Sequence, residues 1–201
     1  MRPPTPPDTC HWRPALAITV VGLSGSLRRA SLNTALLRAA AAEAPVGMAV
    51  EVVTLHGVPL YDGDLEVAEG VPPAVQALAE TIAAADAVLI ASPEYNYSLP
   101  GVLKNALDWV SRVPNKALAG KPVAITGASP GRWGTARMQY QLRHALLFSD
   151  ARVLNKPELM VSQAGSLFDD AGVLVDEPTK KHLRALLEAL AATAAHQRLA
   201  T

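Results

Sequence analysis

The sequence predicts an α/β protein: one doubly wound parallel sheet with helices packed on both faces. Three observations carry this. Apolar, β-branched runs alternate strictly with amphipathic helical patterns, in five strand–helix units from residue 15 onward. The run DAVLIAS (86–92) is continuously apolar, as in a strand covered on both faces. Half of the 201 residues are hydrophobic (50%) and 18% are charged, which suits one domain with a sizeable core.

Each element has its own signal. ALAITVVG (15–22) reads as a buried strand, and SLNTALLRAAAAEA (31–44) as a helix with Leu32, Leu36, Leu37 and Ala40 on one face. MAVEVVTL (48–55) is the second strand. PPAVQALAETIAAA (72–85) is a helix with proline in its first turn, where the missing N–H costs little. After the third strand, LPGVLKNALDWVSR (99–112) carries a stripe of Val102, Leu103, Ala106, Trp109 and Val110. PVAITGAS (122–129) is the fourth strand and residues 135–148 the fourth helix. A weaker strand falls within 151–161. The last helix, 177–196, places Leu183, Leu186, Leu187, Leu190 and Ala194 at core spacing.

Composition narrows the function classes. The formal net charge of +0 offers no footprint for nucleic acid or for an anionic membrane surface. No apolar run approaches the roughly 20 residues of a membrane span. Residues 1–14, MRPPTPPDTCHWRP, read as a disordered Pro-rich tail, leaving 15–201 as a single domain. The tail lacks the apolar core of a signal peptide. Its Cys10 is the only cysteine, so no internal disulfide is possible, which fits a reducing cytoplasm.

In sheets of this kind ligands sit beyond the carboxyl ends of the strands, where strand order reverses. The informative loops therefore follow strands one, three and four. LSGSLRRASLN is neither of the two common glycine-rich phosphate loops, yet it has the chemistry of an anion cradle. Gly25 allows close approach, Ser26, Ser31 and Asn33 offer short polar side chains near a helix start, and Arg28 adds a fixed charge. The alternative is a helix capped by Ser31 with Arg28 and Arg29 in water. SPEYNYSLPG is stiffened by two prolines. It reads either as a platform whose N–H groups and aromatics receive a flat ring, or as a rigid turn whose tyrosines cover a helix end. GASPGRWGT offers N–H groups around Ser129, Gly131 and Gly134. Trp133 reads as a packing or interface residue in preference to a ligand contact. One anion site and two ring-binding loops at a single rim suit a phosphate joined to a planar ring, the shape of FMN.

GSLRRASLN, SPEYNYSLPGVLKNALDWVSR and the stretch from GKPVAITGASPG through QYQLRHAL to NKPEL resemble the NADPH-dependent FMN reductases. These are flavodoxin-like proteins that include quinone, chromate and azo-dye reductases. The resemblance implies a five-stranded sheet in the order 2-1-3-4-5 and bound FMN. Its phosphate loop falls on Ser26, Leu27, Arg28, Ser31 and Asn33. Its ring-binding motif falls on Pro93, Glu94, Tyr95, Asn96 and Tyr97, and its third loop on Ser129 and Gly131. Where family members often carry paired glycines this chain has Gly134-Thr135, and Arg132-Trp133 is a bulky local choice.

The implied reaction takes electrons from NADPH or NADH through FMN to a small acceptor such as a flavin, quinone, chromate or azo compound. The cofactor carries the chemistry, so no catalytic side chain or metal is required. His11, His56, His144, His182 and His196 are scattered without metal spacing, and His144 reads as structural. Glu94 reads as an acceptor for a loop or helix end rather than as a general acid. The resemblance also implies a homodimer or homotetramer, in which Arg112, Tyr140 and Glu158 could pair across subunits; a solvated Arg112 is the alternative. Two rival functions keep the fold: a flavodoxin-like electron carrier without its own NAD(P)H oxidation, and a dinucleotide-binding dehydrogenase, which would need a glycine fingerprint absent here.

Overall fold

The computed structural model describes residues 17–200. The Pro-rich tail and Cys10 lie outside the described residues. Six strands form one parallel sheet: β1 (Ile18–Ser24), β2 (Met48–Thr54), β3 (Ala87–Ala91), β4 (Pro122–Ala128), β5 (Arg152–Val153) and β6 (Leu159–Val161). Their order is β2-β1-β3-β4-β5, with β6 also paired to β4. The expected order 2-1-3-4-5 is thus observed. The expected fifth strand is present as two short pieces, in register with opposite ends of β4: Pro122 faces Arg152 and Thr126 faces Leu159.

Every residue of β3 and β4 is buried, because helices cover both faces, whereas edge strand β2 alternates between partial and full exposure. On one face lie α3 (Pro73–Ala84), α4 (Gly101–Val110) and α5 (Ala136–Leu147). Their Ile82, Leu103, Trp109 and Leu142 pack on Val21, Val88, Ile90 and Ile125. On the other lie α1 (Leu32–Ala42) and α6 (Glu177–Ala200), whose Leu36, Leu37, Leu183 and Leu187 meet a sheet surface rich in small residues: Ala87, Ala91, Ala124 and Ala128. Side chains alternate between the faces of a strand, so VLI and VAI each supply both cores.

Local chemistry sets the helix starts. Ser31 caps α1, its Oγ accepting from the Thr34 N–H at 3.2 Å. Asp176 does the same for α6, accepting from Thr179 N at 2.9 Å and from its hydroxyl at 2.6 Å. A short helix, α2 (Gly63–Glu69), stands where no helical periodicity is visible; none of its residues is buried. Asp62 caps it, and Glu66 ties it to α4 through Arg112, whose Nε lies 3.0 Å from both Glu66 oxygens. The same guanidinium holds the Glu66 carboxyl below its ordinary range. Arg112 is thus ion-paired within the chain while its side chain stays half exposed.

Candidate active site

The loops after β1, β3 and β4 meet at the carboxyl rim of the sheet. They enclose a cavity of about 240 Å³ lined by Ser26, Arg28, Ser31, Asn33, Pro93–Tyr95 and Ser129. A second cavity of about 440 Å³ shares Glu94 and Ser129 with it and continues past Asn96, Tyr97, Gly131, Arg132, Trp133 and Arg137. Eleven of the twelve residues expected at the site line these two spaces; the twelfth, Leu27, lines neither.

In the first loop, Gly25 is required by a close approach, though to protein: a Cβ there would lie 2.4 Å from Ser92 Oγ. Ser26 is buried and its Oγ accepts from the Arg28 N–H at 3.3 Å, folding the loop back on itself. Arg28 is exposed and makes no ion pair among the described residues. Asn33 is buried, and its amide is fully engaged: Nδ2 donates to Ala128 O at 3.0 Å and Oδ1 accepts from Ala128 N at 2.8 Å. This side chain bolts the start of α1 to the end of β4. The part of Asn33 left for an anion is its backbone N–H, which, with that of Leu32, has no acceptor among the described residues.

The second loop is a two-residue hairpin. Tyr95 and Ser98 exchange both N–H···O bonds at 3.0 Å, and the residues between them, Asn96 (φ 49°) and Tyr97 (φ 67°), are both left-handed. Positive φ at both central positions is the requirement of a type I′ turn. Left-handed backbone is uncommon for a residue such as tyrosine and stores strain, here at the site. The N–H groups of Asn96 and Tyr97 are left without acceptors among the described residues, and Tyr95 and Tyr97 are exposed.

Glu94 is held, as expected, at a helix end. Its Oε2 accepts from the N–H groups of Arg137 (3.0 Å) and Met138 (3.2 Å), capping α5, and its Oε1 pairs with the Arg137 side chain at 2.5 Å. With its side chain only 7% exposed and both oxygens engaged, Glu94 ties the second loop to the start of α5. The Arg137 guanidinium in turn lies 3.9 Å over the Tyr97 ring, bracing the hairpin. Trp133, expected to pack or to meet a partner, is 66% exposed and takes no part in the core.

Two contributors were not foreseen. Arg137 sits in a polar stretch of α5 and has no sequence signal. His56 Nε2 lies 3.1 Å from Leu27 O, and its Nδ1 lies 3.1 Å from Thr54 Oγ1. A carbonyl can only accept, so Nε2 carries the proton and the ring ties the first loop to β2.

The donor set fits a phosphorylated flavin. First-turn N–H groups of α1, the Ser26 and Ser31 hydroxyls and the Arg28 guanidinium stand at one end, with no uncommitted carboxylate beside them among the described residues. Free N–H groups and exposed aromatic faces stand at the other. Among the described residues no cluster of His, Cys, Asp or Glu is placed to hold a metal. A further cavity of about 370 Å³, walled by Val110, Leu118 and Phe148, lies between the carboxyl ends of α4 and α5, away from the three loops.

Sheet order, loop placement and donor set define a flavodoxin-like nucleotide-binding protein. Residues 18–166 match the NADPH-dependent FMN reductase family, and the chain belongs to that family. It is 52% identical over 173 residues to an NAD(P)H-dependent FMN reductase of Pseudomonas aeruginosa, covering 86% of this chain and 93% of that one. To a quinone reductase of Escherichia coli (strain K12) it is 48% identical over 174 residues, again covering 86% and 93%. Among solved structures, the flavoenzyme NAD(P)H:(acceptor) oxidoreductase FerB from Paracoccus denitrificans superposes with a TM-score of 0.80 at 32% identity, covering 90% of this chain and 98% of that one.

Proposed function

We propose that the protein is an NAD(P)H-dependent FMN oxidoreductase that reduces small acceptors of the quinone class, with one FMN-binding domain per chain. The observation that carries this reading is the convergence of the phosphate-type loop and the strained, N–H-presenting hairpin at one rim, in a member of the FMN reductase family. Arg28, Ser26, Ser31 and the start of α1 would hold the phosphate, and the Pro93–Tyr97 and Ser129–Gly131 loops the ring. Leu27 would act through its backbone, held by His56.

Bound FMN supplies hydride exchange. The chain contributes binding and orientation. The Asn96 and Tyr97 N–H groups are preorganised to stabilise negative charge at a ring edge, at no reorganisation cost because the turn already holds them. Glu94 and Arg137 lock that turn from behind. In overall balance NAD(P)H, a proton and a quinone give NAD(P)⁺ and a hydroquinone.

Cytoplasmic residence is part of this reading; no helix among the described residues is long and apolar enough to cross a membrane. Homodimer or homotetramer formation is also part of it, supported by the exposure of Tyr140, Leu147 and Phe148 along α5 and its end. The experiment is steady-state NAD(P)H consumption by the purified, FMN-loaded protein with benzoquinone. The reading predicts sustained turnover that scales with enzyme. Flavin that binds but supports no NAD(P)H oxidation would assign the protein to the electron carriers instead.

A further inference from the structure

The outer cavity carries a charge that the flavin site leaves unused. Arg132 and Trp133 stand side by side on its wall, the guanidinium carbon 5.9 Å from the indole centre, and both are exposed. No carboxylate lies within ion-pair distance of Arg132 among the described residues. The other arginine of that wall, Arg137, is neutralised by Glu94. Among the described residues Glu94 is the one carboxylate lining the cavity, and both of its oxygens are taken.

This arrangement discriminates between nucleotides. In dinucleotide-binding Rossmann proteins a carboxylate takes the ribose diol of NADH and an arginine accommodates the 2′-phosphate of NADPH, and the same charge logic applies to an adenosine end docked on this wall. This wall has the arginine and lacks the free carboxylate. The indole beside it offers a flat face to a purine, and the adjacent cation favours an electron-rich stack. We infer that Arg132 and Trp133 form the subsite for the 2′-phosphoadenosine end of NADPH, and so set a preference for NADPH over NADH. The inference rests on the reading that a nicotinamide nucleotide is the electron donor.

Binding of nucleotide fragments tests it apart from turnover. The FMN-loaded full chain is titrated calorimetrically with adenosine 2′,5′-bisphosphate and with AMP. The bisphosphate should bind tighter by about tenfold or more, the scale of one charge-assisted contact, and the gap should shrink as salt is added. Arg132→Ala should remove the gap, and Trp133→Ala should weaken both fragments. Equal affinities in the unaltered protein, a gap that survives Arg132→Ala, or no binding of either fragment would overturn the assignment. Failure of the oxidoreductase reading has a different signature: neither NADH nor NADPH is oxidised, whatever the fragments do.

Discussion

Trp109→Ala is expected to lower the melting temperature by roughly 6–20 °C, from a loss of about 3–5 kcal/mol. Trp109 has no exposed surface, and its ring meets Tyr61 edge to face at 4.9 Å. Its Nε1 donates to Pro59 O at 2.9 Å, and Asn105 Nδ2 donates to the same oxygen at 2.8 Å. Truncation removes core volume, the ring pair and one of the two bonds to the Pro59 carbonyl in the loop that leads into α2. The cavity dominates, because Asn105 still satisfies the Pro59 carbonyl. Trp109→Phe separates the terms: it keeps most of the volume and loses the hydrogen bond, at a cost of about 1 kcal/mol. Thermal denaturation of both variants checks this. A Trp109→Ala protein that melts with the parent would contradict the packing described.

Asn33→Ala is the second large effect, expected to cost about 2–4 kcal/mol by leaving the buried N–H and C=O of Ala128 without partners. Because the broken bond joins the first loop to the third, FMN affinity should fall as well, through loss of alignment and not of a direct contact. Arg28→Ala should do the reverse: exposed and unpaired, it should leave the melting temperature of the flavin-free protein where it was. Comparing the flavin-free melting temperatures of the two variants distinguishes tether from ligand. An unchanged melting temperature in Asn33→Ala would show that the Ala128 bonds contribute nothing.

Most of the fold is legible in the chain because its signals are local. β3 and β4 are continuous apolar runs, and α1, α3, α4 and α6 repeat leucine and alanine at helical spacing over a capping residue or a proline. The fifth strand is blurred because it is two short pieces on either side of a detour, and β5 has no buried residue. The helix α2 is invisible because it buries nothing; its own Asp62 cap and the tertiary ion pair from Arg112 hold it in place. At the site the residue types point to the loops, but not to the role of each side chain. Asn33 reads as a phosphate ligand because its amide is polar and near a helix start, yet a strand 95 residues later claims it. Arg137 and His56 act on the site only through folding, which places them against Tyr97 and Leu27. That Glu94 serves as a helix-end acceptor is readable from its residue type in a stiff loop, but the helix is not: it caps α5, through Arg137 N 43 positions later, and not the adjacent α4.

The most direct measurement is a paired titration of the flavin-free protein with FMN and with riboflavin, followed by quenching of flavin fluorescence. An anion cradle at the rim predicts that FMN binds tighter by roughly 100-fold, and that Arg28→Ala with Ser31→Ala closes most of the gap. Equal affinity for the two flavins in the unaltered protein, or a gap that persists in the double variant, would contradict the account at its centre.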